Sequence, residues 1–217
     1  MKTNVYIDGL NLYYRAVQGT PYKWLDIVKL VQKRYHQNTI RKIKYFTSVV
    51  QSRSDDPGKP VRQQIYLRAL RTFSQIEIIE GKFQTNKVRL PLASPPHNTV
   101  EVLRTEEKSS DVNLAVHLLN DAYKKDYEVA IVVSNDSDLL EAIRIVTQDL
   151  NLKVGVVFPT GAIDPHTGTR HIVRKSRDLQ KYATFIGEIR LGGLSRSQLP
   201  NTLKDAKGTF HKPPEWQ

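Results

Sequence analysis

The chain has 217 residues, no cysteine, and 33 Lys and Arg against 22 Asp and Glu, a formal net charge of +11. That length fits one domain of about 150 to 190 residues with extensions, and the missing thiols exclude disulfides and thiolate metal sites. No apolar run approaches the roughly 20 residues needed to span a bilayer, and "MKTNVYIDG" enters a strand pattern with no signal-peptide core, so a cytoplasmic protein with no membrane association is expected.

In chain order, "NVYID" reads as a first strand and "WLDIVKLVQKRY" as an amphipathic helix with Trp24, Leu25, Val28, Val31 and Tyr35 at spacings of three and four. "IRKIKYFTSVV" is a second strand, "RQQIYLRALRTF" a second helix and "IEIIEGKF" a third strand. A proline-bearing connector, "LPLASPPHN", and a short extended piece, "TVEVLRTEE", precede a helix opening at "SSDVNLAVHLL". "EVAIVVS" is the most apolar strand, "DLLEAIRIVTQDL" the helix after it, and "KVGVVFP" the fifth strand. "PTGAIDPHTGTRHIVRK" reads as a loop, and beyond about residue 186 the pattern fades. Strands alternating with helices predict a parallel sheet covered on both faces, a three-layer α/β arrangement.

In such sheets ligands bind outside the carboxyl ends of the strands. Asp8 ends strand one, Asp136 and Asp138 follow strand four, and Asp111 lies in the first turn of the helix before it. With strands one and four as central neighbours, the four acids converge on one cleft, where their repulsion calls for cations. All-oxygen ligands suit Mg²⁺ or Mn²⁺, and two such ions serve phosphodiester hydrolysis. Structural readings stand beside this one: Asp8-Gly9 as a turn, Asp138 with Glu141 as a capping box, Asp111 as a helix-dipole partner.

The blocks "YIDGLNLYY", "EEKSSDVNLAVHLL" and "IVVSNDSDLLEAI", in this order and spacing, resemble the NYN-domain family of PIN-like, metal-dependent ribonucleases. The resemblance implies a PIN-like, mainly parallel five-stranded sheet of order 3-2-1-4-5 and a Mg²⁺ or Mn²⁺ site. Asp8 and Asp136 would be the core ligands, with Asp111 and Asp138 completing the site directly or through water. It also implies that Asn11 bonds a ligand carboxylate or the scissile phosphate, that Lys108 offsets transition-state charge and that Ser134 positions its loop. The nuclease domain is placed at 1–186 and a C-terminal extension, packed on it or trailing, at 187–217.

Two positions depart from the family pattern: His117 stands where many members have a second helix aspartate, and Asn135 where glycine is common. His117 is open between ligand, phosphate contact, general acid and structural side chain. The excess positive charge favours a polyanion, although many of these groups simply solvate helix faces. Arg62, Arg68 and Arg71 on the second helix, and Arg170, Arg174, Lys175 and Arg177 around the glycine-rich loop, are candidate phosphate contacts. Tyr13 and Tyr14 are placed either to stack an unpaired base or to pack in the core or rim. The sequence thus predicts an endoribonuclease acting on single-stranded or structured RNA, with self-association left open. The competing reading is an RNA-binding adaptor on a weakened nuclease scaffold.

Overall fold

The apolar runs become strands wherever both faces can be covered. The structure is a computed structural model describing residues 1–52, 56–95, 98–164, 167–169 and 174–216, without the side chains of residues 105 and 106. The strands β1 (Lys2–Asp8), β2 (Thr39–Ser48), β3 (Ile76–Pro91), β4 (Thr99–Lys108), β5 (Val129–Val133), β6 (Lys153–Pro159) and β7 (Phe185–Ile189) form one sheet of order β4-β3-β2-β1-β5-β6-β7. All neighbours are parallel except β3 and β4.

The five strands read from sequence lie in its middle as β3-β2-β1-β5-β6, so strand order reverses between β1 and β5. The expectation of a five-stranded sheet is corrected to seven. The piece after the proline connector pairs antiparallel with β3 from Lys82 to Pro91, a stretch beyond the β2 pairing, which ends at Gly81. β7 escaped notice because Phe185 and Ile186, on an edge, are exposed.

Side-chain alternation along β1 and β5 sorts the core into two clusters. Val5, Ile7, Ile131 and Val133 join one with α2 (Ile27–Arg34) and α3 (Lys59–Leu70). Tyr6, Ala130 and Val132 join the other with α4 (Ser110–Tyr123), α5 (Leu140–Arg144) and α6 (Arg177–Tyr182). Two further boundaries differ from the periodicity. The first amphipathic helix starts at Ile27 rather than Trp24, because Asp26 caps it by accepting from the Lys29 amide at 2.8 Å. Trp24 and Leu25 instead meet the C-terminal segment, through Leu25–Gln198 bridging and Trp24 Nε1 donating to the Pro200 carbonyl at 2.8 Å.

The run after β5 divides into a 3₁₀ turn (Ser137–Leu139), α5 and a π turn (Ile145–Asp149). Thr147 Oγ1 donates back to the Ile143 and Arg144 carbonyls at 2.9 and 3.3 Å, within that π turn. The segment after β7 forms α7 (Leu191–Ser195) and a hairpin of β8 (Thr202–Asp205) and β9 (Gly208–His211). It is built into the fold: Leu194, Leu199 and Phe210 are buried in the first core cluster. Arg68 on α3 grips it through both Asp205 oxygens at 2.7 Å and stacks over Phe210 at 4.2 Å. Among the described residues no helix is long and apolar enough to cross a membrane.

Candidate active site

β1 and β5 run in parallel register up to the pair Ile7–Val133, so Asp8 and Ser134 leave the sheet side by side at its carboxyl edge. Asp8 turns the chain into the short helix α1 (Gly9–Leu12), its Oδ1 accepting from the Asn11 amide at 2.9 Å. Its Oδ2 accepts from Ser134 Oγ at 3.0 Å, and that oxygen accepts from the Asp136 amide at 3.1 Å. Asp136 in turn takes the Asp138 amide on Oδ1 at 3.0 Å, and Asn11 Oδ1 takes the Asn135 amide at 3.1 Å. One hydrogen-bonded chain therefore fixes both strand ends. Asp136, rather than Asp138, caps the 3₁₀ turn that leads into α5, and Glu141 is engaged by Arg144 instead of closing a capping box. Capping leaves each carboxylate with free lone pairs.

The opposite wall comes from β4 and α4. Ser109 at φ 83° makes the tight turn between them, which brings Glu107 and Asp111 to the same side. Glu107 Oε1 accepts from Ser48 Oγ at 2.6 Å and from the Ser110 amide at 3.2 Å. It passes so close to β3 that a Cβ on Gly81 would lie 2.7 Å from Oε1 and 2.6 Å from Ser48 Oγ.

These acids sense one another. Burial, and then the neighbouring Asp136 and Glu107, raise the Asp8 carboxyl from 3.8 to about 6 despite its two hydrogen-bond donors. Burial followed by Asp8, Asp136, Glu107 and Asp138 raises Asp111 to about 7. Glu107 is thus a member of the acidic mouth that sequence reasoning passed over. It sits inside the "EEKSSD" block, four residues before Asp111, but only the β4 pairing reveals its direction.

The remaining candidates distribute unevenly. Asn135 is buried and clamps the following loop, Nδ2 donating to the Arg174 carbonyl at 2.9 Å and Oδ1 accepting from the Ser176 amide at 2.8 Å. Arg174 is held there by its backbone, with its side chain in solvent. Lys108 and Asp138 are exposed beside the mouth. Arg62 lies elsewhere: it pairs with Asp56 and reaches Glu215 at 3.5 Å, in the cleft between α1 and α3. His117 stands against Lys44 Nζ, 3.1 Å from Nδ1, and edge-on to Phe46, with its pKa lowered by burial and then by Lys44. Arg170 lies outside the described residues.

Among the described residues no three His, Asp or Glu side chains converge closely enough to hold one ion directly. Mg²⁺ usually keeps several waters and takes only one or two carboxylates, so an all-oxygen mouth of mutually repelling acids fits a hydrated divalent ion. Asp8, Glu107, Asp111 and Asp136 are the groups that would hold it.

These features define a mostly parallel α/β domain with an acidic mouth where its strand order reverses. The chain belongs to the NYN domain family, whose model matches residues 2–180. It is 32% identical over 244 aligned positions to 6-hydroxy-3-succinoylpyridine 3-monooxygenase HspA of Pseudomonas putida, covering 100% of this chain and 75% of that protein. Its fold resembles the crystal structure of a protein of unknown function from Vibrio parahaemolyticus, with a TM-score of 0.52, 16% identity and coverage of 88% of this chain and 93% of that one.

Proposed function

We propose that this protein is a Mg²⁺- or Mn²⁺-dependent endoribonuclease that hydrolyses RNA phosphodiester bonds in the cytoplasm, leaving 5′-phosphate and 3′-hydroxyl ends. The observation that carries the reading is the gathering of Asp8, Glu107, Asp111 and Asp136 at one sheet edge, from β1, β4, α4 and the loop after β5, near enough that burial and mutual repulsion raise the Asp8 and Asp111 carboxyls. Capping alone would not require such a gathering. A bound divalent ion would supply charge neutralisation and activation of water at this mouth.

This chain's own residues supply the rest. Asn11, Ser134 and Asn135 hold the two strand-end loops in fixed relation. Lys108 stands at the rim to meet developing phosphate charge, and Arg174 faces solvent where a strand would pass. The surplus of cations draws in a polyanion.

The alternative is an RNA-binding adaptor, and what favours it is that no three of these acids, among the described residues, stand close enough to hold one ion directly. Cleavage of single-stranded RNA in Mn²⁺, with Asp8→Asn and Asp136→Asn alongside, decides. Cleavage by the parent chain and its loss by at least about a hundredfold in both variants is expected. Cleavage surviving both substitutions rejects the site, and RNA binding without cleavage selects the adaptor.

A further inference from the structure

Next to the acidic mouth lies a second concavity, unrelated to metal binding and open-mouthed, enclosing about 880 Å³ with the solvent at its entrance included. Gly9 and Leu10, which directly follow Asp8, line its near side. Its far wall is Trp216, delivered by the C-terminal turn Pro214–Trp216. That turn lies beyond the residues 2–180 matched by the family model. Specific contacts hold the segment in place, namely the Arg68–Asp205 fork, the Trp24–Pro200 bond and the Arg62–Glu215 pair.

The walls are aromatic, and the rim carries Lys23 and Lys59 beside Arg62, whose charge is met by Asp56 and Glu215. Trp216 stands 6.1 Å from Tyr66 and 6.3 Å from Trp24, ring centre to ring centre. Across the opening Tyr13 and Tyr14 meet edge to face at 5.2 Å, and Tyr14 is 40% exposed. Lys59 Nζ sits over both rings, 6.0 and 5.4 Å from their centres. Lys23 joins the lining, its ammonium disfavoured by burial and then by Arg62. Exposed aromatic faces beside cations suit one chemistry, a planar heteroaromatic ring carrying an anionic group.

We propose that this cleft between α1, α3 and the C-terminal turn is a nucleotide pocket, taking a base against Tyr14 and Trp216 and its phosphate near Lys23 and Lys59. It rests on the ribonuclease reading and deepens it, for an unpaired base seated here places its strand beside Asp8. The C-terminal segment then completes the substrate site.

Isothermal titration of the full chain in EDTA, where no cleavage occurs, tests this with AMP, UMP, ribose 5-phosphate, inorganic phosphate and nicotinate. Both nucleotides are expected to bind about tenfold or more tighter than ribose 5-phosphate. Tyr14→Ala and Trp216→Ala are each expected to weaken nucleotide binding about fivefold or more, with the exposed Tyr14 serving as the variant that leaves the fold intact. Nucleotides binding no tighter than ribose 5-phosphate, or equally in both variants, overturn the pocket. Nicotinate binding tighter than either nucleotide assigns it to a free heterocyclic acid and overturns the nucleotide. Nucleotide binding by a chain that never cleaves RNA leaves the pocket standing and removes the ribonuclease reading, and cleavage without nucleotide binding does the reverse.

Discussion

At Glu107 a single charge connects the two walls of the mouth, bonded to Ser48 and the Ser110 amide while raising both Asp8 and Asp111. Glu107→Gln keeps an oxygen for those donors and removes the repulsion. The Asp111 titration, followed by NMR, is therefore expected to move down from about 7, and an unmoved titration contradicts the shared field. Gly9 offers a second test, because a Cβ there would lie 2.5 Å from Tyr45 Cζ and 2.8 Å from the Phe46 carbonyl oxygen. Gly9→Ala is expected to destabilise the protein by about 1–3 kcal/mol in urea unfolding. The aspartates were legible because strand ends can be located from apolar runs. Glu107 was not, since its direction depends on a strand that no apolar run announces and on a left-handed turn at Ser109.

Among the elements, β2 and α4 are joined by a pair that periodicity cannot reveal. Lys44 Nζ donates to Asp121 Oδ2 at 2.7 Å, with side chains only 6% and 7% exposed, and Tyr6 donates to the same oxygen at 2.7 Å. Asp121→Ala strands a buried ammonium, and a loss of about 3–5 kcal/mol in unfolding free energy is expected. A loss under about 1 kcal/mol would mean that water reaches Lys44. The same packing accounts for His117. It rests against this ammonium, with Nδ1 3.1 Å from Lys44 Nζ, and edge-on to Phe46. The central strands were readable because both faces are buried. β4 was legible only as a short extended piece and β7 not at all, since they sit on edges where long-range pairing, rather than burial, makes the strand.

For the whole molecule, the raised carboxyls set a pH dependence. Asp8 and Asp111 hold protons in the folded state up to about 6 and about 7, whereas the unfolded chain releases them near 3.8. Across that window the native state binds more protons, so these groups make stability fall as pH rises, and acidification restores it. A divalent ion bound by the ionised acids opposes the fall above pH 7. Thermal melts of the metal-free protein are expected to show a lower Tm at about pH 8 than at about pH 5, with Asp111→Asn flattening the difference. The most direct check on the acidic mouth is a calorimetric titration of Mn²⁺ into the full chain at about pH 8, beside Asp111→Asn. Saturable binding by the parent chain, weakened about tenfold or more in the variant, is the predicted result. Equal binding by the two, or none by either, would contradict a divalent-ion site built from these acids.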